Sequence, residues 1–207
     1  AITVPIFAYF KKEAAQTLIE HSNANYIAVA GEIQLSRITP NEQLKKVFVF
    51  DKVEDARFPG LIHFSDLRKG RNDTSFTFDK TVSNDDVCLN MYTSGTMGTP
   101  KCVQLTHGNI LSQQAALSLE WDINEDDRFL SYLPWHHSFG GIFERFSALY
   151  NGAALALDPA SGKDSKSLFH TWKYIQPTVF FSVPKVYQSL IDQTRQDKEA
   201  EELFFHS

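Results

Sequence analysis

Short apolar segments alternate with amphipathic segments along the chain, and this alternation limits the possible folds more than any other feature. Segments rich in β-branched and aromatic residues predict strands over residues 2–7, 26–30, 47–50, 87–92, 102–105, 129–133, 153–157 and 178–181. Apolar residues at helical spacing predict helices over residues 11–21, 61–67, 108–119, 139–150, 165–174 and 186–194. Because strands that alternate with helices form βαβ units, we expect an α/β fold with a mostly parallel sheet flanked by helices.

The composition limits the kinds of molecule that the chain is expected to bind. Hydrophobic residues make up 43% of the chain and charged residues 22%, which is typical of a folded domain. The net charge of -5 and the absence of a dense basic run argue against nucleic-acid binding. No segment approaches the roughly 20 apolar residues of a membrane span, although peripheral membrane contact stays open. Cys88 and Cys102 are the two cysteines, and such low cysteine usage favours a cytoplasmic location.

One segment between two predicted strands carries the strongest chemical signal. Residues 92–101 read Tyr-Thr-Ser-Gly-Thr-Met-Gly-Thr-Pro-Lys. Glycines allow several backbone N–H groups to converge, hydroxyls add donors, and Lys101 adds a positive charge, so the segment suits a polyphosphate. It is not a Walker A loop, because Lys101 follows Pro100 rather than glycine and precedes a predicted strand rather than a helix.

The same segment, with the downstream Thr-His-Gly-Asn at residues 106–109, closely resembles the phosphate-loop signature of the AMP-forming acyl-CoA synthetases and the wider adenylate-forming superfamily. That signature reads roughly Y-T-S-G-T-T-G-x-P-K-G-V, followed by T-H-x-N. Met97 stands where the family usually has Thr or Ser, and Cys102 stands where Gly is usual. The resemblance implies that ATP phosphates are bound by Thr93, Ser94, Gly95, Thr96, Met97, Gly98, Thr99 and Lys101, with Thr93 also near a Mg²⁺ ion.

A second segment supports the same family. Residues 133–141 (Leu-Pro-Trp-His-His-Ser-Phe-Gly-Gly) resemble the family stretch L-P-x-x-H-x-x-G, and His137 falls on its histidine. The resemblance implies that His137 contacts the carboxylate or acyl-adenylate, with Gly140 and Gly141 beside the substrate. The alternative for His137 is a core histidine bound to backbone.

Two further segments look most like the long-chain fatty-acid branch of the family. They are residues 143–146 and residues 179–187. The resemblance implies that Ser182, Val183 and Pro184 border an acyl pocket. The alternative is structural, because a packed helix and a buried strand that ends at Pro184 explain the same residues.

The implied activity is ATP-dependent activation of a long-chain fatty acid to an acyl-adenylate and then to acyl-CoA. ATP, the fatty acid and coenzyme A are the expected small-molecule partners, and Lys101 and His137 are the expected catalytic residues. Two alternatives remain open. One is an aryl or amino-acid adenylating enzyme, and the other is a non-catalytic nucleotide-binding module, which the departures at Met97 and Cys102 motivate.

The resemblance spans most of the chain but only part of a family member. We therefore expect residues 1–207 to form part of the N-terminal AMP-binding domain. The mobile C-terminal domain and the groups that contact adenine, ribose and magnesium are expected outside this chain. On that basis we expect the isolated chain to be inactive.

Overall fold

The computed structural model describes residues 1–67, 81–93 and 100–197. The chain forms two compact units, which are treated separately below. Unit 1 comprises Ala1–Leu105 and unit 2 comprises Thr106–Ser207. The expectation that residues 1–207 form one partial N-terminal domain stays a prediction.

Unit 1 is built on a parallel sheet with strand order β1-β2-β3. The strands are β1 (Tyr26–Val29), β2 (Lys46–Val49) and β3 (Ile62–His63), and the helices are α1 (Lys12–His21), α2 (Glu32–Leu35) and α3 (Phe64–Leu67). The amphipathic helix α1 turns its apolar side inward because its apolar residues recur at helical spacing. The core consists of Ile19, Val29, Leu35, Ile38, Val47, Val49 and Phe58.

A separate pair of strands in unit 1 flanks the phosphate-loop segment. Strand β4 (Val87–Thr93) pairs with β5 (Lys101–Thr106). The strand that begins at Lys101 confirms the prediction that the segment connects two strands. No helix starts there, so the Walker A interpretation remains excluded.

Unit 2 is organised around β6 (Arg128–Ser131), which pairs in parallel with β7 (Ala154–Leu157). Phe129 of β6 also forms a parallel bridge to Val179, so β6 has neighbours on both sides. The helices are α4 (His107–Trp121), a π-helix (Phe139–Glu144) continued by α5 (Arg145–Asn151), α6 (Ser165–Ile175) and α7 (Pro184–Gln196).

Successive residues of β6 are buried in different clusters. Phe129 packs with Ile123, Ala148 and Phe181. Its neighbour Leu130 packs with Tyr132 and Leu168. Because successive side chains of a strand point to opposite faces, both faces of β6 are covered, as a parallel strand flanked by helices requires.

Two predicted strands are wrong, and each is reduced to a single bridge. In residues 2–7 only Thr3 pairs, with Leu89, because Pro5 has no N–H to continue the ladder. In residues 178–181 only Val179 bridges to Phe129. There the hydroxyl of Thr178 accepts the backbone N–H of Arg128 at 2.8 Å, so a side chain takes the place of a ladder carbonyl.

Two predicted helices are also divided differently in the structure. Within residues 61–67, the first residues pair with β2 as strand β3 and only Phe64–Leu67 is helical. Residues 139–150 start as a π-helix and become an α-helix at Arg145. π-helical turns are rare, and those that occur are frequently found at functional sites.

The start of α4 explains part of the family-like signature in structural terms. The hydroxyl oxygen of Thr106 accepts the backbone N–H of Asn109 at 3.1 Å, and the Asn109 side-chain oxygen accepts the backbone N–H of Thr106 at 3.0 Å. This reciprocal pair is a capping box, which satisfies donors that the first helical turn leaves unpaired. The Thr-x-x-Asn spacing therefore fixes where α4 begins.

Replacing this cap should destabilise unit 2. We expect Thr106→Ala to lower the free energy of unfolding by about 1 kcal/mol, because the cap acceptor is lost. Thr106→Ser keeps the hydroxyl and is the matched control. Urea unfolding followed by tryptophan fluorescence measures both variants; equal stability of the Ala and Ser variants would contradict the capping role.

Candidate active site

Two predicted phosphate-binding residues lie at the ends of β4 and β5 that are next to the loop motif. Thr93 is the last residue of β4 and Lys101 is the first residue of β5. Both residues are exposed. The segment between them carries the other predicted phosphate ligands, namely Ser94, Gly95, Thr96, Met97, Gly98 and Thr99, which lie outside the described residues. Their role stays a prediction.

Tyr92, the first residue of the loop motif, is anchored before the loop begins. Its hydroxyl lies 2.8 Å from Nδ1 of His21, and the two rings meet edge to face at 5.6 Å. Burial raises the pKa of Tyr92, and its interaction with Cys102 raises that pKa further. Cys102, at the position where the family usually has glycine, is thus near enough to Tyr92 to influence the pKa of its phenol.

His137 lies in unit 2, on the turn that leaves the carboxyl end of β6. Its backbone N–H donates to the carbonyl of Pro134 at 3.0 Å, and its own carbonyl accepts the N–H of Gly141 at 2.8 Å. Nδ1 of the exposed imidazole accepts the backbone N–H of Phe139 at 3.4 Å. The neutral ring therefore carries its proton on Nε2, which is the donor needed to contact a carboxylate oxygen.

The exposure of His137 disagrees with the alternative of a buried core histidine. Its neighbour His136 is the more enclosed of the two, and burial followed by the charge of His137 lowers the pKa of His136. The two adjacent histidines thus occupy different environments.

Gly140 and Gly141 are buried, and each lies close to the backbone of the turn that follows β6. A Cβ atom at Gly141 would lie 2.3 Å from the carbonyl oxygen of Trp135, and one at Gly140 would lie 2.8 Å from that of Leu133. Both distances are too short for a side chain, so the two glycines let the π-helix pack directly against the turn. Substrate contact by these glycines stays a prediction.

The predicted acyl-pocket residues also lie in unit 2, near the carboxyl end of β6. The Ser182 hydroxyl lies 2.7 Å from the hydroxyl of Tyr132, which follows β6 directly. Val183 then caps α7, and Pro184 is the first residue of that helix. Because the preceding segment runs parallel to β6, unit 2 brings Ser182 to the same sheet edge as the turn of His137.

Sequence reasoning missed the role of Glu144, which is completely buried at the end of the π-helix. Its Oε2 accepts the hydroxyl of Ser131, and that hydroxyl oxygen accepts the indole N–H of Trp135 at 3.0 Å. Burial raises the pKa of Glu144 to about 7 despite these bonds. The available signal was a single acidic residue inside the apolar segment 139–149.

The two halves of the predicted site belong to different units, so the spacing between Lys101 and His137 stays a prediction. Within the described part of the chain, no group of three or more His, Cys, Asp or Glu residues has the arrangement of a metal site. The hydroxyl of Thr93 is the single described candidate for Mg²⁺. Across the same described ranges, no helix is both long and apolar enough to cross a membrane.

Comparison with known proteins gives a consistent family. The family model described as "AMP-binding enzyme" matches residues 1–204. The chain is 27% identical to the peroxisomal long chain acyl-CoA synthetase 7 of Arabidopsis thaliana, over 92% of this chain and 28% of the relative. It is 26% identical to a long-chain-fatty-acid–CoA ligase of Mus musculus, over 95% of this chain and 31% of the relative. The chain thus spans less than a third of these relatives.

Solved structures agree on the fold. The ATP-bound structure of MatB from Rhodopseudomonas palustris superposes with a TM-score of 0.73 at 20% identity. The match covers 96% of this chain and 37% of that protein. It confirms the α/β fold, with the parallel strands described above.

The raised pKa of Glu144 predicts a pH-dependent stability. A carboxyl group whose pKa rises from 4.5 when unfolded to about 7 when folded stabilises the fold below pH 4.5. That contribution is lost as the pH rises through 7. Between pH 5 and 8 the free energy of unfolding should fall by up to about 3 kcal/mol. Glu144→Gln should abolish this fall.

Urea unfolding at several pH values measures the effect. Trp121, Trp135 and Trp172 are the only tryptophans of the chain and all belong to unit 2, so their fluorescence reports on that unit. The exposed Glu120→Gln on α4 is the control and should keep the wild-type pH dependence. The same pH dependence in the Glu144→Gln variant would contradict a buried, titrating Glu144.

Proposed function

Because this chain belongs to the AMP-binding enzyme family, we propose that the protein containing it activates a long-chain fatty acid and transfers it to coenzyme A. In the first step a carboxylate oxygen attacks the α-phosphorus of ATP and displaces pyrophosphate. In the second step the thiol of coenzyme A attacks the acyl carbon, loses its proton, and releases AMP. The observation that carries the proposal is the hydroxyl- and glycine-rich sequence that follows β4 and precedes β5, with Lys101 at its end.

The chemistry of the first step explains the residue types in this segment. Negative charge builds on the bridging oxygen as pyrophosphate leaves, so donors fixed around the β- and γ-phosphates stabilise the transition state more than the ground state. Lys101 supplies a full positive charge from the first residue of a strand. Thr93 supplies a hydroxyl from the last residue of the paired strand.

His137 is proposed to bind the acyl end of the reaction. Its Nδ1 accepts a backbone N–H, so Nε2 is the proton donor of the neutral ring. A hydrogen bond from Nε2 to a carboxylate or acyl-adenylate oxygen orients that group without adding a permanent charge. The exposure of the side chain at the carboxyl end of β6 supports this role.

A long apolar acyl group is the proposed substrate class. Two relatives are named for long-chain substrates, and Ser182 follows an aromatic cluster in which Phe181 meets the rings of Phe129, Phe139, Phe143 and Trp121. Phe129 and Phe181 are themselves buried core residues, so the cluster supplies an apolar wall behind Ser182 and not an open pocket, and the substrate class is supported mainly by the names of the relatives.

Magnesium would neutralise phosphate charge when it is bound, as it does in phosphoryl transfer generally. The described residues offer one hydroxyl, that of Thr93, and no acidic cluster beside it. We therefore assign Thr93 as a proposed ligand and derive no step through the ion. A cytoplasmic location is likewise a proposal, supported by the low cysteine content of the chain.

The alternatives are separated by one assay. ATP–pyrophosphate exchange by the full-length protein is measured with fatty acids, aryl acids and amino acids in turn. Exchange with fatty acids supports the proposal, and exchange with aryl acids or amino acids alone replaces the substrate class. Absence of exchange with all three supports the non-catalytic nucleotide-binding module instead.

Lys101 should matter far more for this exchange than other surface lysines. Loss of one well-placed stabilising charge typically lowers a rate by about 10²–10³-fold, so we expect Lys101→Ala to lower exchange by that order. Lys46→Ala is the matched control, because Lys46 is also exposed and also begins a strand. Equal activity of the two variants would remove Lys101 from the mechanism.

The 207-residue chain alone should not form acyl-CoA. It spans less than a third of the length of its relatives, and adenylation requires groups on both sides of the α-phosphate at once. Each missing stabilising donor costs about 10²–10³-fold in rate, so we expect turnover below detection. Acyl-CoA formation from ATP, coenzyme A and a fatty acid measures this, with the full-length protein as the positive control. Robust turnover would mean that the chain holds a complete site.

A further inference from the structure

A chain of three side chains connects the core of unit 2 to the turn that carries His137. The indole N–H of Trp135 donates to the hydroxyl oxygen of Ser131 at 3.0 Å, and that hydroxyl donates to Oε2 of Glu144. Ser131 is 3% exposed and Glu144 is fully buried. The polar chain therefore runs from the end of β6 into the interior.

The direction of these bonds is fixed by chemistry. An indole N–H only donates, so Ser131 accepts with a lone pair and has one proton left to give. That proton goes to Glu144, which is the terminal acceptor in the described structure. If this acceptor were lost, the Ser131 hydroxyl would be free to turn, and the bond that holds Trp135 would weaken.

Trp135 is in turn a fixed part of the His137 turn. Its carbonyl oxygen packs against Gly141, whose N–H donates to the carbonyl of His137. The guanidinium of Arg145 lies over the Trp135 ring, with its carbon 5.2 Å from the ring centroid. The indole is thus held by a hydrogen bond at one edge and by a cation on its face.

We propose that Glu144 is a positioning residue that sets the geometry of the His137 turn through Ser131 and Trp135, and that gain or loss of its proton changes that geometry. The inference deepens the proposed function, because it matters for activity only if His137 contacts the acyl group. A charged Glu144 accepts a stronger hydrogen bond from Ser131 than a neutral one. The Ser131–Glu144 hydrogen bond is therefore strongest when Glu144 is ionised, although the buried charge lowers the stability of the fold as a whole.

The charged and titratable groups around Glu144 do not supply a paired cation. Tyr132, the next residue after β6, lies near the carboxyl group: its backbone lowers the pKa of Glu144, and the charge of Glu144 helps to raise the pKa of its phenol. Arg145 faces the rings of Trp135 and Phe146, and the neutral Gln114 of α4 donates to the carbonyl of Ile142, two residues before Glu144. The second oxygen, Oε1, is buried with no partner among the described residues. Ionisation near pH 7 is consistent with these surroundings.

The test uses the 207-residue chain and the indole N–H signal of Trp135 in two-dimensional ¹H–¹⁵N NMR, identified with Trp135→Phe. In the wild type this signal is expected to shift with a midpoint at about pH 7. In Glu144→Gln, which keeps an acceptor oxygen but does not ionise, the signal should stay constant. The indole signals of Trp121 and Trp172 are internal references.

The main competing source of a titration is the pair of histidines on the same turn. A shift caused by His136 or His137 would persist in Glu144→Gln and would overturn the proposal, as would a pH-independent Trp135 signal in the wild type. If Glu144→Gln does not fold, Ser131→Ala provides the second test. It removes the link, so the Trp135 signal should lose its pH dependence while the fold is kept.

A kinetic test separates this inference from the proposed function. In the full-length protein, Glu144→Gln should change the pH dependence of KM for the carboxylate substrate, with little change in KM for ATP. If pyrophosphate exchange is absent in the wild type, the proposed function fails while the NMR result still decides the positioning role. If exchange is present and the two pH profiles of KM are identical, the positioning role fails alone.

Discussion

The central position of β6 is the constraint on which the rest of unit 2 depends. Phe129 pairs with β7 on one side and with Val179 on the other, so neither edge of β6 is free at this residue. Its side chains are buried in separate clusters on both faces. A strand enclosed in this way can change direction only at its ends. The segments that follow β6 and Val179 therefore emerge together, which brings Ser182 and the turn of His137 to one edge.

The sequence predicts elements well where local chemistry decides them. Pro100 and the apolar residues after it predict a strand that begins near Lys101, and helical spacing predicts α1, α4, α6 and α7. Prediction from the sequence fails where strand pairing depends on a residue that is distant in the chain. Thr178 belongs to an apolar segment typical of a strand, but its hydroxyl takes the N–H of Arg128, which lies far away in the chain. Propensity carries no information about such a competitor.

The residues of the candidate site likewise fall into those that the sequence predicts and those that only the folded structure reveals. The family-like motif predicts His137, and the structure exposes its imidazole at the end of a strand. The role of Glu144 arises only when the π-helix folds back on β6, because Ser131 and Trp135 then become its neighbours. Glycine at positions 140 and 141 is needed for the same close approach. No residue of this set signals its partner by its own position in the sequence.

The capping box at the start of α4 shows that some residues of the family-like signature stabilise the fold and do not by themselves indicate ATP binding. Thr106 and Asn109 satisfy the first turn of a helix, so any chain that needs this helix gains from keeping them, whether or not it handles ATP. In the described structure Lys101 has no comparable stabilising role, since it is an exposed first residue of a strand. In a paralogue that has lost catalysis, Thr106 and Asn109 would be retained because they stabilise the helix. Lys101 could then be replaced without loss of stability. The informative residues of the motif are thus those that the fold does not need.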